Sequence, residues 1–391
     1  MNILFLHQSP CIRAYREGYA LKNNASDIKL FLIYQGKSLN QKYGFGDEIF
    51  DKMIKLPPGN LWFYIKNRNK LYDLIEKLDI DIIHAHNFPD TFAFTAIKYK
   101  KKPVIYDIHD MYSLFDYKEM MFSSPKTAFA NMVTFGLYPH TIFKFFEKYC
   151  IRNANAIIVV SEYMKKEVEK YRGQDKNIFV MPNFILDKDL RNLEPKKDSI
   201  KKSRLKIVFE GSLGAPKTAG DLTDTINSLG CIKNIELHIY GFSWKQAYID
   251  YHMESIKKYD NVFFHGKVTP DELLALLPQY DCGIVPDYKS KTTRHLHSQM
   301  PNKLFEYLAA GLPILSGNFF SLKHFITENK IGCIYNNLDD GIIQAVEEIE
   351  NNYSLYYQNV LDIRKKYTWE NHIPNVIILY RELMKGNYNI K

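Results

Sequence analysis

With 391 residues and 46% apolar content, the chain can fill two hydrophobic cores and is not of disordered composition. Its net charge of +8 favours acidic partners (phosphorylated metabolites, anionic membrane surfaces, nucleic acid) without choosing among them. The five cysteines, with no C-x-x-C pair, argue against a zinc cluster or a disulfide framework and fit a reducing compartment; four lie in apolar stretches, where a free cysteine is usually a core residue.

In chain order, "NILFL" (2–6) opens the sequence without a basic n-region, so it reads as a strand rather than a signal peptide. No run approaches the roughly 18 apolar residues of a membrane span, which predicts a cytosolic protein, possible peripheral contact with an anionic membrane being left open. "IKLFLI" (28–33), "DIIHA" (81–85), "VIYDI" (104–108) and "AIIVV" (156–160) follow, alternating with helical patterns. Continuous apolar runs in such alternation predict parallel strands buried on both faces. The polar segment 187–204 is the best boundary, its lysine runs reading as solvated linker. A second set then runs through "LKIVFEG" (205–211), "IELHIYG" (235–241), "NVFFHG" (261–266), "DCGIVP" (281–286), "PILSG" (313–317) and "GCIY" (332–335). The fold class is α/β with two doubly wound, Rossmann-like domains. Ligands bind beyond the carboxyl ends of such strands, and paired domains are expected to hold theirs in the cleft they face across.

Two stretches after strands carry chemistry. "FEGSLGAPKTAG" (209–220) places Gly211, Gly214 and Gly220 around Ser212 and Lys217, where backbone amides and an ammonium can approach phosphate. It matches neither a Walker A loop nor a G-x-G-x-x-G fingerprint, and glycines here can serve the turn alone. "MPNKLFEYLAAGLPIL" (300–315) reads as a short helix with Pro301 at its first position, Gly311 at its end and Leu304, Tyr307 and Leu308 inward. Lys303 and Glu306 share another face. Either they form an exposed pair worth a few tenths of a kcal/mol, or they serve an anion and a sugar diol at the helix start.

His84 and His86 share a strand face but show no third metal ligand in the sequence, so they read as hydrogen-bonded strand-end residues and no metal is expected. Asp79–Ile80–Asp81 precedes its strand and reads as a turn. The aromatic segment 111–150 can be a core helix or a lipid-contacting surface. Nucleic acid is not expected, for lack of a basic–aromatic groove pattern.

"MPNKLFEYLAAGLPIL" resembles the nucleotide-binding helix of retaining GT-B glycosyltransferases, the glycogen-synthase-like family four. "DIIHAHN", "PVIYDIHD", "IIVVSEYM", "MPNF", "FEGSLG", "VFFHGKVTPDEL" and "YTWENH" are similar in the same order and span most of the chain. The resemblance implies an acceptor-side domain over 1–185, rejoined by a C-terminal helix at 368–386, and a nucleotide-sugar domain over 186–367. It implies transfer of a sugar, with retention and without metal or other cofactor, from a UDP-, GDP- or dTDP-sugar to a hydroxyl of a glycan or lipid-linked acceptor. The implied setting is cell-envelope glycan assembly at the inner face of the cytoplasmic membrane. Glu306 falls on the ribose position; Gly211, Ser212 and Lys217 on the diphosphate loop; Asn302, Lys303 and Leu304 on the helix start; Lys267 and Val268 on the base edge. His109 falls beside the transferred sugar. Thus His109, Lys217 and Glu306 are the implied catalytic set.

The chain departs from the pattern in three places. Ser298 stands where the family has a first glutamate, which makes His295 or His297 candidate contacts of the donor sugar. "HQSPCIRAYREGYAL" (7–21) replaces a Gly-Gly loop, which makes Arg13 and Arg16 candidate phosphate-side charges. Asn183–Phe184 replaces an asparagine-glycine. The alternatives are an epimerase or phosphorylase on the same fold, or a non-catalytic sugar-nucleotide-binding subunit.

Overall fold

A computed structural model describes residues 1–57, 63–87, 90–114, 137–174, 177–191, 193–195, 204–216, 218, 220–287 and 293–386. The chain forms two compact units. The first runs to Leu186 and is rejoined from Trp369 onward; the second is Asp187–Thr368.

The first unit holds a seven-stranded, all-parallel sheet: β1 (Asn2–His7), β2 (Lys29–Tyr34), β3 (Lys52–Lys55), β4 (Ile82–His86), β5 (Val104–Ile108), β6 (Ala156–Val159) and β7 (Ile178–Val180). Their spatial order is β3-β2-β1-β4-β5-β6-β7, so the winding reverses between β1 and β4. The central strands are buried on both faces, as their largely apolar runs predict. The edge strands β3, "KMIK", and β7, "IFV", extend the set read from the sequence. An edge strand needs less apolar burial and can be short, so neither leaves a strong pattern. The helix Trp369–Met384 packs on this unit through Ile373, Val376, Ile377 and Tyr380, all buried.

The second unit holds a six-stranded parallel sheet: β8 (Leu205–Ser212), β9 (Ile235–Phe242), β10 (Val262–Gly266), β11 (Cys282–Val285), β12 (Ile314–Gly317) and β13 (Gly332–Tyr335). Its order, β10-β9-β8-β11-β12-β13, reverses between β8 and β11. Leu205, Ile207 and Phe209 join Ile235, Leu237, Ile239, Cys282, Ile284 and Leu315 in its core. In an open α/β sheet each reversal opens a crevice at the strands' carboxyl ends, so each unit has one place where ligands are expected.

Cys150, Cys282 and Cys333 are buried, while Cys11 is half-buried and Cys231 exposed. Among the described residues, no helix is long and apolar enough to cross a membrane. Most of the aromatic segment after Leu114, up to residue 136, lies outside the described residues.

Candidate functional site

At the reversal of the second sheet, β8 ends in Glu210, Gly211 and the exposed Ser212. Gly211 has φ +145°, and a Cβ there would come 3.0 Å from Lys303 Nζ. The loop is then tied to the end of β9 and to itself: Leu213 N–H donates to Phe242 O (2.7 Å) and Gly214 N–H to Gly220 O (2.8 Å). Gly220, at φ +99°, has no room for a side chain because its Cβ would lie 3.0 Å from Gly214 N. Lys217 lies outside the described residues.

The helix Asn302–Ala309 begins one residue later than the sequence suggests. Pro301 has φ −70° and ψ 155° and is the N-cap, its extended backbone holding it outside the helix; Asn302 takes the first helical position. Leu304, Phe305, Tyr307 and Leu308 fill the core side, and Gly311 ends the segment at φ +81°. Glu306 is only 7% exposed, so the reading of a solvent-exposed ion pair with Lys303 does not hold. The Lys303 ammonium folds back over the Phe209 ring, 4.1 Å from its centroid. Burial lowers its pKa, and the charges of Glu210 and Glu306 oppose that shift. Asn302 Oδ1 is buried and has no hydrogen-bond partner among the described residues.

Tyr307 fixes this helix to the reversal point. Its hydroxyl accepts the Glu210 N–H (3.1 Å) and lies 3.4 Å from Ile284 O, to which it donates. Beneath the ring is Gly283 of β11, where a Cβ would sit 2.3 Å from two Tyr307 ring atoms. Gly283→Ala is therefore expected to destabilise the second unit by about 1–3 kcal/mol through overpacking and to displace the helix start. Urea unfolding should show the loss, and a variant as stable as the parent would contradict this packing account.

Lys267 and Val268 follow β10 directly; Lys267 Nζ lies 5.6 Å from the Phe242 ring centroid. The remaining candidates in this unit are engaged within it. Ser298 is fully buried, and its Oγ donates to His295 O (2.7 Å). His297 Nδ1 accepts the Phe320 N–H (2.9 Å) at the start of the helix Phe320–Asn329. His295 Nδ1 lies 3.5 Å from Gln299 Nε2.

The first unit gathers a second constellation at its own reversal point. The parallel register pairs Phe5 with His84, and His86 with Asp107. Because side chains alternate, His7, His84, His86 and Asp107 share one face of the sheet, and His109 follows Asp107 by two residues. The His84 and His86 rings stack at 4.6 Å, and His7 stacks on His86 at 5.1 Å. His86 Nδ1 lies 3.3 Å from His109 Nε2, and Asp107 Oδ2 is 3.4 Å from both. His84 Nδ1 meets the Tyr380 hydroxyl at 2.6 Å.

Arg13 and Arg16, read as phosphate-side charges, are only 2% and 1% exposed. Arg13 Nη2 lies 3.3 Å from both Asp107 oxygens, and Nη1 donates to Met181 O (2.8 Å) and Pro182 O (3.0 Å). Its guanidinium also covers the Trp369 ring at 5.0 Å. Its charge is thus spent within the first unit.

Burial would raise the Asp107 pKa, but the Arg13 charge and the His109 and His84 imidazoles hold it well below the carboxylate range. Burial would lower His109, but Asp107 outweighs it and lifts the imidazole to about 10. Burial raises the Glu17 carboxyl and lowers His7 and His86. For Cys11, hydrogen bonds with His109 and His7 overcome burial and hold the thiol well below its usual value. His109 is 15% exposed, the most accessible of the histidines paired with Asp107.

The sequence reading found His109, His84 and His86 but not His7, Cys11, Glu17, Asp107 or Tyr380. It also found no third potential ligand for His84 and His86, whereas the sheet brings His7 and His109 from β1 and the residue after β5. The signal available was polar residues at the ends of adjacent strands, which becomes informative once strand order is known.

Residues 34–187 match the family model described as Glycosyltransferase Family 4, and residues 218–378 match Glucosyltransferase 3-like, C-terminal domain. The chain is 24% identical over 372 residues to a Bacillus subtilis (strain 168) protein assigned to teichuronic acid biosynthesis as the glycosyltransferase TuaH, covering 90% of this chain and 85% of the relative. Sucrose-phosphate synthase from Thermosynechococcus elongatus superposes with TM-score 0.74 at 14% identity, covering 99% of this chain and all of that one. Anabaena Alr3699/HepE in complex with UDP superposes with TM-score 0.67 at 12% identity, covering 97% of this chain and all of that one.

Proposed function

We propose that this chain, a group 1 glycosyltransferase of GT-B fold, moves a sugar from a nucleoside-diphosphate donor to an acceptor hydroxyl with retention at the anomeric carbon and no metal ion in the step. The carrying observation is the buried Glu306 and the Lys303 ammonium beside Gly211, both on the helix Asn302–Ala309 at the reversal point of the second sheet.

Departure of the diphosphate builds negative charge, so catalysis needs fixed positive potential where that charge grows. The Lys303 ammonium and the free amides at the helix start supply it, with Gly211 allowing close approach. Lys217 is assigned a second ammonium from its place in the loop. Ser212 faces the same phosphates. The Glu306 carboxylate accepts hydrogen bonds from two ribose hydroxyls, and the backbone at Lys267–Val268 reads the base. On the first unit, His109 donates a hydrogen bond to a hydroxyl of the transferred sugar.

The TuaH assignment and the UDP-bound HepE structure support a UDP-sugar and an envelope polysaccharide; a glycan or lipid-linked acceptor at the inner membrane face completes our reading. Thermal shift against UDP-, GDP- and dTDP-sugars identifies the donor, because a ligand that binds only the folded state raises the melting temperature. Turnover with an α-linked donor is then followed by NMR. An α-linked product and a rate that EDTA does not lower are expected. A β-linked product overturns retention, and loss with EDTA reversed by a divalent ion overturns the metal-free step. Donor conversion without acceptor would mark an epimerase instead.

A further inference from the structure

The geometry points to a docking face on the first unit that takes an anionic lipid surface, formed by the outer sides of the helices Phe63–Lys77, Thr91–Tyr99 and Leu137–Asn153. These helices belong to the connections from β3 to β4, β4 to β5 and β5 to β6. All three connections advance the same way along the order β3-β2-β1-β4-β5-β6-β7, so right-handed crossovers lay the helices in one layer on one face of the sheet. Thr91–Tyr99 packs against both of the others.

Two large apolar side chains stand out of this layer: Ile65 is 64% exposed and Phe145 57%. Rings join the three helices between them. Tyr64 packs on Phe94 at 5.3 Å, and Phe94 meets Phe145 at 6.5 Å and Tyr149 at 4.9 Å between centroids. Cations lie over the same rings. Arg68 covers Tyr64 at 5.1 Å, and Lys98 Nζ lies 4.6 Å from the Tyr149 centroid and 5.5 Å from that of Phe94. Such side chains cover apolar surface with their stems and keep the charge at the rim.

Charge chooses the occupant. Along 63–72, 91–99 and 137–153, every acidic or basic side chain apart from histidine is lysine or arginine except Glu147, which is fully buried. Asp73 and Glu76 follow further along the first helix, and Glu76 is held by Lys101 at 2.8 Å. An anionic leaflet attracts these cations, while Ile65 and Phe145 can enter its acyl boundary and the tyrosines suit the headgroup level. Nucleic acid would use the cations and rings but has no apolar medium for Ile65. The inference rests on the first unit alone and not on the donor site.

The test uses the full chain and vesicles of equal parts phosphatidylglycerol and phosphatidylcholine, followed by co-sedimentation. Binding is expected, weaker as salt rises because charge is screened, and absent with phosphatidylcholine alone. Arg68→Glu combined with Lys98→Glu should lower partitioning on the order of a hundredfold, at about fivefold per unit of charge. Arg68→Lys with Lys98→Arg should keep it, and Phe145→Ser should weaken it, with circular dichroism showing each variant folded. A second measurement locates the face: the indole introduced by Phe145→Trp should be quenched by phosphatidylglycerol brominated on its acyl chains, beyond any quenching of the parent. No binding, equal binding to neutral vesicles, indifference to the charge reversals, or an unquenched indole would each overturn the face. Binding of duplex DNA in place of vesicles would mark a nucleic-acid surface instead. None of these outcomes bears on donor binding by Lys303 and Glu306.

Discussion

Glu306→Ala is expected to weaken binding of the nucleotide donor by on the order of a hundredfold and to reduce transfer at least as much. The carboxylate is held in place before any ligand arrives: it is 7% exposed, on a helix whose Leu304, Phe305, Tyr307 and Leu308 are locked into the core. Little ordering entropy therefore remains to be lost when two ribose hydroxyls bind it. Two hydrogen bonds to a charged acceptor contribute roughly 3 kcal/mol or more together, about a hundredfold in affinity. Calorimetric titration with the donor's nucleoside diphosphate measures the loss, with exposed Glu328→Ala on the neighbouring helix as control. Lys303→Ala should lose affinity for the diphosphate but much less for the nucleoside, because its ammonium is assigned to the phosphates. If both variants bound the nucleoside diphosphate like the parent, the donor site would lie elsewhere.

Asp107→Ala is expected to be the most damaging single change in the first unit. Asp107 is fully buried and faces Arg13, His84, His86 and His109 at 3.3–3.4 Å. Removing it leaves a guanidinium and imidazoles buried without their carboxylate. Breaking a buried ion pair from one side costs about 3–5 kcal/mol, and at this size that corresponds to roughly ten degrees in melting temperature. Differential scanning calorimetry should show the first unit's transition moving down while the second unit's stays. Asp107→Asn keeps hydrogen-bonding capacity and should cost less. A melting curve unchanged by Asp107→Ala would show that the network contributes nothing to stability.

Much of this was legible in the residues, for reasons that differ by element. β1, β4 and β5 announce themselves because nearly every position is buried and most are apolar. The helix at 302–309 was legible because Pro301, Gly311 and the inward stripe of Leu304, Tyr307 and Leu308 mark it. The start was misplaced by one residue because proline tolerates both the cap and the first position. The histidine cluster was half legible. His84 and His86 are two apart on one strand, but their partners come from three other stretches of chain, and only the strand order β1-β4-β5 brings them together. Arg13 and Arg16 were candidates for phosphate because their segment stands where the family it resembles has a Gly-Gly loop, whereas both lie on the helix Ile12–Asn24 and are buried. Tyr380 had no local signal at all.

The return of the helix Trp369–Met384 to the first unit bears on how the protein is made. His84 waits for Tyr380, and Arg13 for Trp369, so the patch of the first unit that this helix covers stays open while the ribosome translates the whole second unit. During that interval the patch is open to wrong partners, a phase in which nascent chains aggregate or recruit chaperones. A stop codon or frameshift shortly before position 369 would therefore harm the half of the protein that was synthesised first.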